Sequence, residues 1–152
     1  MKGRDRMSYQ KVLVAYDGSE HGKRALEAAL ELVDHDMASR LVVLHVVATH
    51  RGVEPMLEAG GLLASSDTEA FEDNDAQKIE REISELVRGR EDIVEVMMRV
   101  GTPKIEIVHV ADVHDCSLIV MGSRGLGAVR SMLGSVSTGV LAESEIPVLV
   151  MR

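Results

Sequence analysis

A chain of 152 residues with a formal net charge of −8 is the length of one domain and has the wrong sign for a protein that mainly grips nucleic-acid phosphates. With 45% hydrophobic residues but no Trp, one Phe and two Tyr, its core must be built from Val, Leu, Ile, Ala and Met, which favours an aliphatic sheet covered by helices. The single Cys116 excludes an internal disulfide, no Cys or His spacing suggests zinc, and no apolar run is long enough for a membrane span or placed as in a signal peptide, so a cytoplasmic protein with no membrane or nucleic-acid partner is expected.

Residues 1–9 read as an extension, disordered or left over from expression, ahead of a domain over residues 10–152. KVLVAYD, Lys11 to Asp17, is an apolar run that stops at Asp-Gly-Ser, as a buried strand does at a turn. Ser19 then stands as N-cap of a helix from Glu20 to about His35, with Ala25, Leu26, Ala29, Leu30, Leu32 and Val33 at helical spacing. RLVVLHVV, Arg40 to Val47, is apolar throughout and predicts a strand covered on both sides. Ala48 to Asp67 has Gly52, Pro55, Gly60 and Gly61 and no period, which predicts a long loop.

A charged helix follows from Thr68 to Arg88, with an apolar stripe at Ile79, Ile83, Leu86 and Val87 and the run EDNDAQKIERE on its solvated face. IVEVMMRV, Ile93 to Val100, predicts a third strand. Thr102 and Pro103 then signal a helix to about Val113, because Thr caps free N–H groups and Pro loses no hydrogen bond at the first position. Ser117 to Gly122 predicts a fourth strand, Ser135 to Ser144 a last helix and Ile146 to Arg152 a fifth strand. Strands separated by helices imply one open parallel sheet with right-handed crossovers and helices on both faces. Ligands of such sheets bind beyond the carboxyl ends of the strands, where the winding reverses, and Asp17, the end of LHVV and the stretch after Met121 share that edge.

That stretch, MGSRGLGAVRSMLGSVS from Met121 to Ser137, has glycines at 122, 125, 127 and 134. It is not a dinucleotide fingerprint, since Arg130 stands where the third glycine belongs. Nor is GSEHGKR, Gly18 to Arg24, a P-loop: three residues separate its glycines where four are needed, and Arg24 replaces the metal-binding hydroxyl. What remains is Gly-x-x-Gly, a spacer, then Gly-Ser opening a helix. Glycines let backbone N–H groups approach phosphate oxygens, and the helix start adds the positive end of a dipole. Ser135, Ser137 and Thr138 offer hydroxyls to a phosphate or to a metal bound to it, so the pattern favours a polyphosphate. Asp17 equally suits a plain Asp-Gly turn, His45 a packed histidine and Cys116 a small buried residue. No nucleophile and base stand at motif spacing, so no residue is assigned a catalytic or metal-ligating role.

KVLVAYDGSE, LHVV, LIVMGSRGLGAVRSMLGSVS and IPVLVMR together resemble the universal stress protein family, from about Gln10 to Arg152. The resemblance implies a five-stranded α/β sheet of order 3-2-1-4-5, Rossmann-like and of the adenine nucleotide alpha hydrolase type. It also implies a homodimer through the last strand and, in one branch, ATP with Mg2+. That branch carries Gly, two residues, Gly, nine residues, Gly, then Ser or Thr; here the spacer LGAVRSML has eight. Carried over, Asp17 meets the ribose side, Val46 with Ala15 and Met121 lines the adenine pocket, and Gly122, Gly125, Gly134, Ser135, Val136 and Ser137 surround ribose and phosphates. Tyr16, Ser123 and Arg124 complete the set. The expectation is a nucleotide-responsive stress or regulatory module, not an enzyme, that acts on an unidentified protein partner. Two alternatives stand beside it: a non-binding member that works as a dimeric interaction protein, and an adenylyl-transferring enzyme, whose His or Lys signatures are missing here.

Overall fold

The computed structural model describes residues 9–34, 38–49, 66–124 and 133–152. In chain order these form β1 (Lys11–Ala15), α1 (Glu20–Asp34), β2 (Arg40–Ala48), α2 (Ser66–Leu86), β3 (Val94–Gly101), α3 (Pro103–Val113), β4 (Leu118–Gly122), α4 (Ser135–Glu143) and β5 (Val148–Met151). All pairings are parallel, in the expected order β3-β2-β1-β4-β5.

The sheet is buried on both faces, which is why its central runs lack polar alternation. Val12, Val14 and Tyr16 of the first run pack with Ala25, Leu26 and Val33 of α1 and with Ile83 of α2. Leu13 and Ala15 point the other way, to Ile107 and Val110 of α3 and Val140 of α4. Each fully buried Val, Leu or Ile contributes about 1.5–3 kcal/mol relative to exposure. Cys116, expected as a small buried residue, lies in the second cluster, where burial raises its thiol pKa.

Several expected boundaries move for local reasons. Leu32 and Leu86 were placed on buried stripes but are each 38% exposed, since they stand off the lines set by Leu26, Ala29 and Val33 and by Ile83 and Val87. α2 begins at Ser66, two residues before Thr68. Most of the expected loop, residues 50–65, lies outside the described residues, as does His35. Thr102 makes no side-chain cap; its backbone carbonyl instead accepts from the N–H groups of Ile105 and Glu106, each at 3.0 Å. β5 starts at Val148 rather than Ile146, because Pro147 has no N–H for the ladder. Residues 1–8 of the expected extension are outside the described residues, whereas Tyr9 packs against the first cluster and accepts at its carbonyl from Ser39 Oγ (3.0 Å).

One close approach fixes how α1 sits on the sheet. A Cβ built on Gly122 would stand 2.7 Å from His21 Cβ and 2.8 Å from the His21 carbonyl carbon. The first turn of α1 therefore lies directly on the end of β4, with no room for a side chain. Gly122→Ala is expected to lower stability by about 1–3 kcal/mol through overpacking; urea unfolding measures it, and an unchanged midpoint would contradict this packing.

Candidate functional site

The winding reverses at β1, which pairs with β2 on one side and β4 on the other. Ala15 stands opposite both Leu44 and Met121, and Ala15, Met121 and Val46 all pack on the α3 and α4 face of the sheet. These three residues make an apolar shelf at the carboxyl edge. The Tyr16 side chain points to the opposite face and is 2% exposed, so only its main chain reaches that edge. Burial and then the neighbouring Glu82 carboxylate push the phenol's ionisation far above its ordinary range, and its Oη is buried without a hydrogen-bond partner of good geometry. Burial disfavours the charge of Glu82 itself, but the Lys23 ammonium at 3.1 Å more than offsets this and holds the carboxyl below the usual range.

Asp17 serves the turn into α1. Its Oδ1 accepts from the Ser19 N–H (2.9 Å) and the Ser19 hydroxyl (2.5 Å), and Ser19 Oγ accepts in turn from the Gly22 N–H (3.0 Å). Ser19 is thus the expected N-cap, and Asp17 orients it. Gly18 between them has φ +80°, the left-handed conformation that favours glycine.

The segment after β4 is tied through Ser123. Its N–H donates to the Met151 carbonyl (2.7 Å), and its own carbonyl accepts from the Gly134 N–H (2.7 Å) and from Ser137 Oγ (3.0 Å). Its hydroxyl lies 3.0 Å from His21 Nδ1. Ser123 and Ser137 are both buried, and the Ser137 hydroxyl lies within 3.0 Å of the carbonyls of Ser123 and Gly134, so it ties the end of β4 to the start of α4. The Arg124 carbonyl lies 3.4 Å from Ser19 Oγ. Gly125 and most of the eight-residue spacer lie outside the described residues.

α4 opens at Gly134 with no side-chain cap and no acidic residue in its first turn, while Ser135 and Thr138 are exposed. The half-buried Val136 packs on the cluster that carries the apolar shelf. The edge therefore joins an apolar surface to a helix start that carries exposed hydroxyls and no acidic residue in its first turn, which suits an amphipathic anion. A separate open cleft of about 440 Å³ lies between α1 and α2, lined by Gly18, Lys23, Lys78, Arg81, Glu82 and Glu85. Three cations face two carboxylates there, and it includes none of the shelf residues. Among the described residues no group of three His, Cys, Asp or Glu side chains is arranged to hold a metal ion, and no described helix is long and apolar enough to cross a membrane.

The sequence profile of the universal stress protein family matches residues 8–152. The chain belongs to the universal stress protein family. It is 37% identical over 147 residues to the universal stress protein in the QAH/OAS sulfhydrylase 3' region of Thermus aquaticus, covering 95% of this chain and 99% of that one. The solved structure of protein MJ0577, a universal stress protein of Methanocaldococcus jannaschii, is 28% identical and superposes with a TM-score of 0.71 over 95% of this chain and 96% of the other. The universal stress protein from Archaeoglobus fulgidus in complex with dAMP has the same fold at 23% identity, with a TM-score of 0.66 over 96% and 100% of the two chains.

Sequence reasoning missed one side chain at this edge, His21. His21 reaches Ser123 only because α1 lies on Gly122, and no local pattern announces that contact. His45 is the packed histidine it was taken for, with Nδ1 2.8 Å from the Tyr16 carbonyl. Ser19→Ala removes a helix cap and the partner of Asp17, and is expected to cost about 1 kcal/mol; thermal and urea unfolding that match the unaltered chain would remove this account of the turn.

Proposed function

We propose that this universal stress protein binds ATP with Mg2+ at the carboxyl edge of its sheet and acts as a homodimeric, nucleotide-responsive regulatory module in the cytoplasm. The observation that carries the reading is the uncapped start of α4 beside the apolar shelf of Ala15, Val46 and Met121. The shelf suits the flat apolar faces of an adenine base, and the exposed Ser135 and Thr138 hydroxyls with the first-turn N–H groups suit phosphates and a cation bound to them. The dAMP complex of a protein with this fold supports an adenine nucleotide over a bare anion. The proposed role is binding and signalling to a protein partner, with no catalytic function assigned.

Gly134 supplies the test. Its φ of −65° is open to any residue, and a Cβ there would stand 3.4 Å from the Ser123 carbonyl oxygen, an ordinary contact. Gly134→Asp should therefore fold, gain a few tenths of a kcal/mol as a better N-cap, and place a carboxylate against the phosphates. Calorimetric titration with Mg-ATP is expected to give near-micromolar binding to the unaltered chain, about 8 kcal/mol, and none to the variant. No heat and no thermal stabilisation by millimolar ATP in the unaltered chain would reject the nucleotide and place the protein in the non-binding branch.

The dimer is proposed through β5, an edge strand on which Leu149 is 39% exposed. Such an edge invites pairing with a second copy. Leu149→Lys is expected to shift the mass by light scattering from dimer toward monomer. A monomer before substitution would reject the dimer, and a dimer indifferent to it would reject this strand as the interface.

A further inference from the structure

β3 is the outer strand of the sheet on the side away from β5, and among the described residues no strand pairs with its other edge. Two hydrogen bonds at its ends fix where its backbone groups point. The Ile93 carbonyl accepts from the Leu41 N–H (2.9 Å) and the Gly101 carbonyl from the Thr49 N–H (3.1 Å), so both face β2. Backbone groups of successive strand residues point to opposite sides, so those of Glu95, Met97 and Arg99 face β2 as well, and those of Val94, Val96, Met98 and Val100 face outward. The Val94 N–H bears this out: it leaves the sheet to bond the Arg90 carbonyl (2.9 Å). The outer edge therefore presents the Val94 carbonyl and both main-chain groups of Val96, Met98 and Val100.

The side chains of β3 alternate between the two faces of the sheet. Val94 packs on the first cluster and Met97 on the second, so Val94, Val96, Met98 and Val100 line one face and Glu95, Met97 and Arg99 the other. Val96 is 36% and Val100 68% exposed. Glu95 and Arg99 are also exposed, and they stand at equal distance on either side of Met97. Arg99 Nε lies 3.8 Å from Glu106 Oε2 of α3, too long for a hydrogen bond, which leaves the guanidinium room for a second carboxylate.

We propose that β3 is a self-complementary edge that pairs antiparallel with β3 of a second copy of this chain, about a two-fold axis through Met97. This contact lies on the opposite edge of the sheet from the β5 interface proposed above and does not depend on it. In this register Val96 stands opposite Met98 of the second copy and Val94 opposite Val100, so outward N–H and C=O groups meet. Glu95 stands opposite Arg99 of the second copy, and symmetry repeats the pair at the other end of the contact. Opposite charges directly across a strand pair attract and like charges repel. Moving the axis to Val96 or Met98 also brings outward groups together, but it sets Glu95 against Met97 or Gly101 and Arg99 against Ile93 or Met97. Charges on an edge strand commonly discourage pairing; placed with opposite signs about Met97, these two select one register instead. A strand edge is a small contact, so the pairing belongs to high protein concentration.

The test is sedimentation of the Leu149→Lys chain, whose β5 edge carries a charge, from low micromolar to near-millimolar protein. It is expected to pass from monomer to dimer as concentration rises. Adding Arg99→Glu sets two carboxylates against each other at both ends of the contact and should weaken it about tenfold or more. Adding Glu95→Arg as well swaps the charges and should restore pairing to within about fivefold, a recovery that a damaged fold would not show. Val96→Pro removes an outward N–H that β2 does not use, so the sheet should persist while association is lost. Amide exchange by NMR locates the contact: Val96, Met98 and Val100 should exchange quickly in dilute protein and slowly in the dimer, with Met97 and Arg99 protected in both. A Leu149→Lys chain that stays monomeric throughout overturns the proposal. So does association that ignores Arg99→Glu, a charge swap that recovers nothing, or exchange at Val96 and Met98 that does not change with concentration. A dimer that survives Leu149→Lys in dilute protein but dissolves on Arg99→Glu rejects β5 as the interface and keeps this one.

Discussion

The position of β1 between β2 and β4 is the constraint on which the rest of this molecule depends. A strand paired on both edges and covered on both faces must be short and wholly apolar, and Val12, Leu13 and Val14 are fully buried. The chain leaves its carboxyl end toward α1, while the neighbouring strands continue past it: β2 runs to Ala48, four residues beyond Leu44 opposite Ala15. The recess that opens is a product of strand lengths. It needs no specialised residue to exist, only residues that do not fill it, and Ala15 is the smallest side chain on its floor.

Around that recess, polar groups serve first to tie the ends of the elements together. Asp17, Ser19 and the Gly22 N–H close the turn into α1, and Ser123 joins β4 to β5, to α4 and to His21. Each tie is an ordinary hydrogen bond worth about 1 kcal/mol net, and together they join the ends of β4, β5, α1 and α4 at this edge. Residues that resembled ligand contacts, such as Ser137 and Gly122, therefore act one step behind the surface. The exposed donors at the start of α4 are what remains to face a ligand.

The fold was legible because its signals are local and redundant. Apolar runs alternate with 3.6-residue periodicity, and Gly or Pro marks most junctions, so the nine elements among the described residues fall within a few residues of their expected places. The roles of single side chains were less legible. Tyr16 was grouped with Asp17 as a site residue, but strand alternation sends it to the opposite face from Ala15. Gly122 looked like room for phosphate, yet the space it leaves is filled by the first turn of α1 from a hundred residues earlier in the chain. Such contacts follow from packing between distant segments, and spacing within one motif carries no information about them. His45 packs as its apolar strand implies, but its bond to the Tyr16 carbonyl is not visible in the sequence.

The start of α4 shows how a binding edge can be maintained against stability. Asp, Ser or Asn at position 134 would cap the helix, and the gain over glycine is a few tenths of a kcal/mol. Glycine forgoes that gain and sets no side chain of its own on the first-turn donors. A ligand present at a hundred times its dissociation constant returns about 2.7 kcal/mol to the folded state, several times the cap forgone. The start of α4 therefore presents main-chain donors with no capping side chain from Gly134 at one rim of the sheet. On the proposed function, a nucleotide would complete there the hydrogen bonding that the fold leaves unfinished, so binding and local order would rise together.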